Sequence, residues 1–94
     1  METIRKWDVA DYLETEEDIM QYLDAVLAEN DASLLAAALG DIARAKGMTS
    51  IANEAGLGRE SLYKSLSKTG NPSFATVQKV LTGLGLKFSV SSKT

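Results

Sequence analysis

The stretch MTSIANEAGLGRESLYKSL, residues 48–66, decides how this chain folds. Thr49 supplies a helix cap, residues 50–55 give barely two turns, and Gly56 offers the left-handed backbone that ends a helix. Gly58 or Arg59 then opens a second short helix, with Leu62 and Leu66 on its buried side. Ala52 is small where the two helices cross, and Gly56 follows where the chain must turn. Ile51, Ala55, Leu57 and Leu62 supply a shared apolar core. Two short helices braced in this way make a helix-turn-helix.

In that motif the second helix enters the DNA major groove, so its polar side names the expected base readers: Arg59, Glu60, Ser61, Tyr63 and Lys64. Arg bonds two guanine acceptors, Glu accepts from cytosine, and Tyr and Ser reach a base edge, a phosphate or a thymine methyl. Thr49 and Ser50 at a helix start, and Ser67, Lys68, Thr69 and Asn71 in the loop beyond, are the expected phosphate contacts. An alanine with a glycine four residues later also arises by chance, and a helical hairpin can exist for packing alone. The flanking helices, the matched apolar pattern and the local surplus of cationic and hydroxyl side chains favour DNA over packing. Tyr63 suits half-burial as well as it suits a contact.

Upstream, Thr15 with Asp18 forms a capping-box pattern that starts a helix near Glu16. Ile19, Tyr22, Leu23, Val26 and Leu27 fall on one stripe of it, and Glu16, Glu17, Asp18, Asp24 and Glu29 line the remainder. Asn30 and Asp31 interrupt the pattern and offer a new cap. Leu35, Ala38, Leu39, Ile42 and Ala43 then carry a second stripe to Gly47, and Gly40 with the alanines around it lets another helix come close. Asp8 is placed to cap one further turn near the start of the chain.

Downstream, residues 67–72 are a loop, and Asn71 or Ser73 caps a last helix whose buried face is Phe74, Val77, Val80, Leu81 and Leu84. Gly85 stops it. The alternation in residues 86–90 allows a short strand with Leu86, Phe88 and Val90 on one face, and residues 3–7, TIRKW, are its candidate partner within the chain or across a dimer. The expected architecture is all-α, a bundle of about five helices in one domain spanning 1–94. Its parts are an acidic helical segment at 1–30, the helix-turn-helix core at 31–85, and the strand and tail at 86–94.

Composition narrows the function. The chain has no Cys and no His, which removes disulfides, thiolate nucleophiles, imidazole bases and nearly every zinc or iron site. Carboxylate pairs such as Glu16 with Glu17 or Asp8 with Asp11 come with no sign of the cleft that acid–base chemistry needs. No enzymatic activity, metal or cofactor is therefore expected. No apolar run reaches membrane-spanning length, and the first residues lack a signal-peptide pattern, so a cytoplasmic protein is expected. The net charge of −3 conceals a division: residues 1–45 carry three cations against eleven carboxylates, net −8, and residues 46–94 carry seven against two, net +5. A polyanion suits only the second half.

YLETEEDI at 12–19, LAAALGDIARAKGMT at 35–49, GRESLYKSLS at 58–67, GNPSF at 70–74 and LGLKFSV at 84–90 together resemble the probable addiction-module antidote proteins, antitoxins with a lambda-repressor-like helix-turn-helix. The likeness spans residues 5–90. It implies a partner toxin, typically a small basic ribonuclease of the RelE/HigB-like class, and repression of the shared operon through its operator DNA. The family commonly has Ser where this chain has Gly58, and the looser lambda-repressor pattern favours an apolar residue at Ser65, a role Leu66 takes here. With that partner in view, Glu16, Glu17 and Asp24 are the expected toxin contacts, the alternatives being a merely solvated helix or packing in a homodimer. A homodimer is expected because one recognition helix reads too few bases. Its interface is sought in residues 86–90, the last helix or the segment around Trp7. The competing readings are a helix-turn-helix regulator with no toxin, and an interaction module that has lost DNA binding.

Overall fold

The structure is a computed structural model that describes residues 12–92. The Asp8 cap, the 3–7 segment and Trp7 lie outside the described residues. Five α-helices and no strand are present among the described residues. Local signals explain where most of them begin.

Helix α1, Glu16–Leu27, starts on the expected capping box. The Thr15 hydroxyl accepts from the Asp18 amide at 3.0 Å, and Asp18 Oδ2 accepts from the amides of Thr15 and Glu14 at 3.1 and 3.2 Å. The Thr15 amide, helped by that of Glu14 and by the Thr15 hydroxyl, holds the Asp18 carboxyl below its ordinary pKa against a smaller opposing effect of desolvation. Ile19, Leu23 and Val26 are buried, while Leu27, on the same stripe, opens onto a surface groove.

Helix α2, Ala32–Lys46, takes Asp31 as its cap, with the side chain accepting from the amides of Ser33 and Leu34. Ala36, Ala38, Leu39, Gly40, Ile42 and Ala43 are buried along it. The Tyr22 hydroxyl of α1 donates to Asp41 Oδ2 at 3.1 Å, and Arg44 pairs with Oδ1 of the same carboxylate at 3.2 Å. Desolvation, then the charge and hydrogen bond of Asp41, push the Tyr22 phenol up to about 12, against a smaller pull from Arg44.

Helix α3, Met48–Ala55, corrects the expected cap. It follows α2 across the single residue Gly47, so Thr49 lies inside its first turn and no side chain caps it. At its other end Gly56 takes φ 69, the left-handed value expected, and the Leu57 amide donates back to the Ala52 carbonyl at 2.9 Å. Helix α4, Arg59–Ser65, and helix α5, Phe74–Gly83, complete the bundle. Ser73, and not Asn71, caps α5, its hydroxyl accepting from the Thr76 amide at 3.1 Å.

The core joins all five elements: Ile19 from α1, Leu39 and Ile42 from α2, Ile51 and Ala52 from α3, Leu62 from α4 and Val80 from α5. Among the described residues no polar or charged one is buried. Two expectations fail at the carboxyl end. Residues 86–90 form no strand: the Leu86 amide donates back to the Leu81 carbonyl of α5 at 2.8 Å, and no strand among the described residues lies beside the segment. Phe74 is 65% exposed instead of buried; it sits on the first turn of α5 and stacks its ring on Phe88, with centroids 5.5 Å apart and planes at 10°.

Candidate nucleic-acid interface

Helix α4 is set apart from α3 by a turn of three residues. The left-handed Gly56 reverses the chain, half-buried Leu57 plugs the core, and Gly58 in extended backbone leads into Arg59. Gly58 gives no side-chain cap. The amides of Arg59, Glu60 and Ser61 therefore have no acceptor one turn back, and the first such bond is Leu62 to the Gly58 carbonyl at 2.9 Å.

Leu62, 1% exposed, and Leu66, 4% exposed, lie a turn apart and fix one side of the segment to the core. Most of the remainder points out. Arg59, Glu60, Ser61, Tyr63 and Lys64, the expected base readers, are all exposed, and Tyr63 at 61% is not the half-buried ring its position also suited. Ser65 is half-buried and turns its hydroxyl onto the Ser61 carbonyl at 2.7 Å.

The expected phosphate contacts fall into two groups. Thr49 and Ser50 are exposed in the first turn of α3, where backbone amides carry the positive end of the helix dipole even though Thr49 is not the cap. Lys68, Thr69 and Asn71 are exposed in the loop that follows α4. Ser67 is half-buried and its hydroxyl donates to the Lys64 carbonyl at 3.0 Å, so it braces the end of α4. Along α4 and this loop the cations Arg59, Lys64 and Lys68 outnumber the single carboxylate, Glu60.

Glu16, Glu17 and Asp24 belong to a different element. All three are exposed on α1, and Glu17 Oε2 accepts from Nε2 of the Gln21 side chain at 3.3 Å. Beside them Met20 and Leu27 line a groove whose other wall is Leu86 and Phe88. Sequence reasoning missed this groove and the exposed stack of Phe74 on Phe88, whose ring lines it. The alternation at 86–90 signalled one apolar side, but nothing local placed Phe74 against it. Among the described residues no cluster of acidic side chains is arranged to hold a metal, and no helix is long and apolar enough to cross a membrane.

The family described as "probable addiction module antidote protein" matches this chain over residues 3–92. A protein of Haemophilus influenzae, described as uncharacterized, is 53% identical over 89 residues, which cover 95% of this chain and 92% of the relative. No solved structure matches.

Proposed function

Because the chain belongs to the family of probable addiction module antidote proteins, we propose that it is the DNA-binding antitoxin of a type II toxin–antitoxin module. It acts in the cytoplasm without catalysis of its own, represses its own operon by binding the operator as a homodimer, and neutralises a small basic ribonuclease of the RelE/HigB-like class. The observation that carries the DNA part is α4, a short helix pinned by Leu62 and Leu66 while five polar side chains stand exposed on it. In this reading α3, the Gly56 turn and α4 are a lambda-repressor-like helix-turn-helix, with α4 in the major groove and the start of α3 and the loop at 68–71 on phosphates. A homodimer places two copies of α4 on half-sites one helical turn apart, roughly 34–36 Å.

Charge supports two partners on two elements. From Tyr12 to Asp31 the chain has seven carboxylates and no Lys or Arg, which repels DNA and attracts a basic protein through Glu16, Glu17 and Asp24. The test is gel-shift binding to the DNA fragment upstream of the gene, for wild type and Arg59→Ala. Loss of a bidentate guanine contact weakens the preference for that fragment by about 1–3 kcal/mol, whereas Lys68→Ala weakens all DNA alike and lowers the salt slope by about one. Equal affinity of wild type for this fragment and for unrelated DNA would sink the repressor reading. Reversing the charges of Glu16, Glu17 and Asp24 together should lower affinity for the basic protein encoded beside this gene at low salt; unchanged affinity removes the electrostatic part.

A further inference from the structure

Helix α4 cannot set its own direction. Its seven residues make about two turns, below the length at which a helix holds by itself. Leu62 and Leu66 fasten one side, but two anchors in line leave the helix able to roll about the line between them, and any shift of Leu66 swings it about Leu62.

Its carboxyl end is enclosed by main chain from two directions. In α2, a Cβ at Gly40 would stand 2.1 Å from the carbonyl oxygen of Leu66 and 3.2 Å from its carbon. In the loop beyond, a Cβ at Gly70 would stand 2.2 Å from the Ser65 carbonyl oxygen and 2.6 Å from that of Lys64. All of these obstacles are backbone, so no side-chain rotation relieves them. The other end of α4 differs: a Cβ at Gly58 would meet nothing within 4 Å. The loop is itself held, by the Gly70 amide on the Ser67 carbonyl at 3.0 Å and the Ser67 hydroxyl on that of Lys64.

We infer that Gly40 and Gly70 are positioning residues for the DNA-reading face: α2 and the loop close on the last turn of α4 through these two glycines, and that contact sets how Arg59, Glu60 and Ser61 project. The inference rests on the DNA-binding reading of α4. One end of the helix is clamped against backbone and the other, which carries the readers, is unobstructed, so a displacement at the clamp becomes a tilt at Arg59. A methyl group at Gly40 drives the Leu66 carbonyl back by at least about 1 Å to reach ordinary contact. That exceeds the roughly 0.5 Å within which a binding constellation must be held.

The experiment compares wild type, Gly40→Ala and Gly70→Ala, each with and without Arg59→Ala, on the fragment upstream of the gene and on unrelated DNA of equal length. It is run at a temperature where circular dichroism shows each variant folded, and Gly70→Ala keeps the test open should Gly40→Ala not fold. In wild type, Arg59→Ala lowers the preference for the cognate fragment by about 5- to 150-fold. In either glycine variant the preference is already lost, and removing Arg59 costs little more. Gly83→Ala serves as the control, since its tight neighbour is the Glu54 side chain of α3 and lies outside α4; it leaves the preference intact. Glycine variants that discriminate as wild type does overturn the clamp alone. A wild type with no preference overturns the DNA reading, and this inference with it.

Discussion

Helix α1 has twelve residues, a capping box and three buried residues of its own, whereas α4 has seven residues, no side-chain cap and one buried residue within its bounds. The first is specified locally, by groups within a turn of one another. The second is specified by its neighbours: the Gly56 turn, the Leu62 and Leu66 sockets, and the backbone closing on its last turn. The contrast assigns stability and display to different parts of the chain. A helix that buries little can present nearly its whole circumference, and the scaffold around it must then supply orientation.

Five measurements press on this contrast. The largest effect is expected where α4 meets the core: Leu62→Ala, at a residue 1% exposed, should destabilise the fold by roughly 3 kcal/mol in urea denaturation, since the site can collapse only in part. A loss under about 1 kcal/mol would mean that α4 is not seated on the core. Arg59→Ala should do the reverse, lowering affinity for the cognate fragment by about 1–3 kcal/mol while leaving the denaturation midpoint unchanged. A midpoint that falls with it would place Arg59 among structural residues.

On the α1 side, Tyr22→Phe removes the bond to Asp41 and should cost about 1–2 kcal/mol of stability with no effect on DNA binding. The phenol pKa is raised on folding, so its contribution is present below the ordinary value of 10.0 and lost as pH rises through about 12. Stability of the variant should therefore lose that alkaline dependence. Thr15→Ala opens the capping box and should cost about 1 kcal/mol. Smallest is Asp18→Asn. The Asp18 pKa is lowered on folding, so its stabilisation is present above 3.8 and lost as pH falls through the lower folded value. The acid limb of melting temperature against pH should be shallower in the variant, and an unchanged limb would deny the carboxylate this role.

Much of this architecture was legible in the chain itself. The box at Thr15 and Asp18, the Asp31 cap, the Gly56 turn and the burial of Leu62 with Leu66 were all readable because each depends on residues a turn or two apart. The polar side of α4 was readable for the same reason, since two apolar residues a turn apart leave the others outside. The cap of α3 was misread because Thr49 is a good capping residue, and only the direct passage from α2 through Gly47 starts the helix before it. The strand at 86–90 was misread because alternation reports two faces of a segment and says nothing about a partner to pair with.

The sequence by itself thus narrowed where four of the five described helices start to a residue or two, and named most of the residues they bury, Phe74 excepted, and those α4 leaves in solvent, since caps and periodicity act over a turn or two. Only the tertiary structure decided that Gly40 lies under the Leu66 carbonyl, that Gly70 closes on Lys64 and Ser65, and that Phe74 turns outward to stack on Phe88. The first and third of those contacts join residues far apart in the chain, the second closes a loop of no repeating pattern, and no local preference encodes which of the available small or apolar residues will meet.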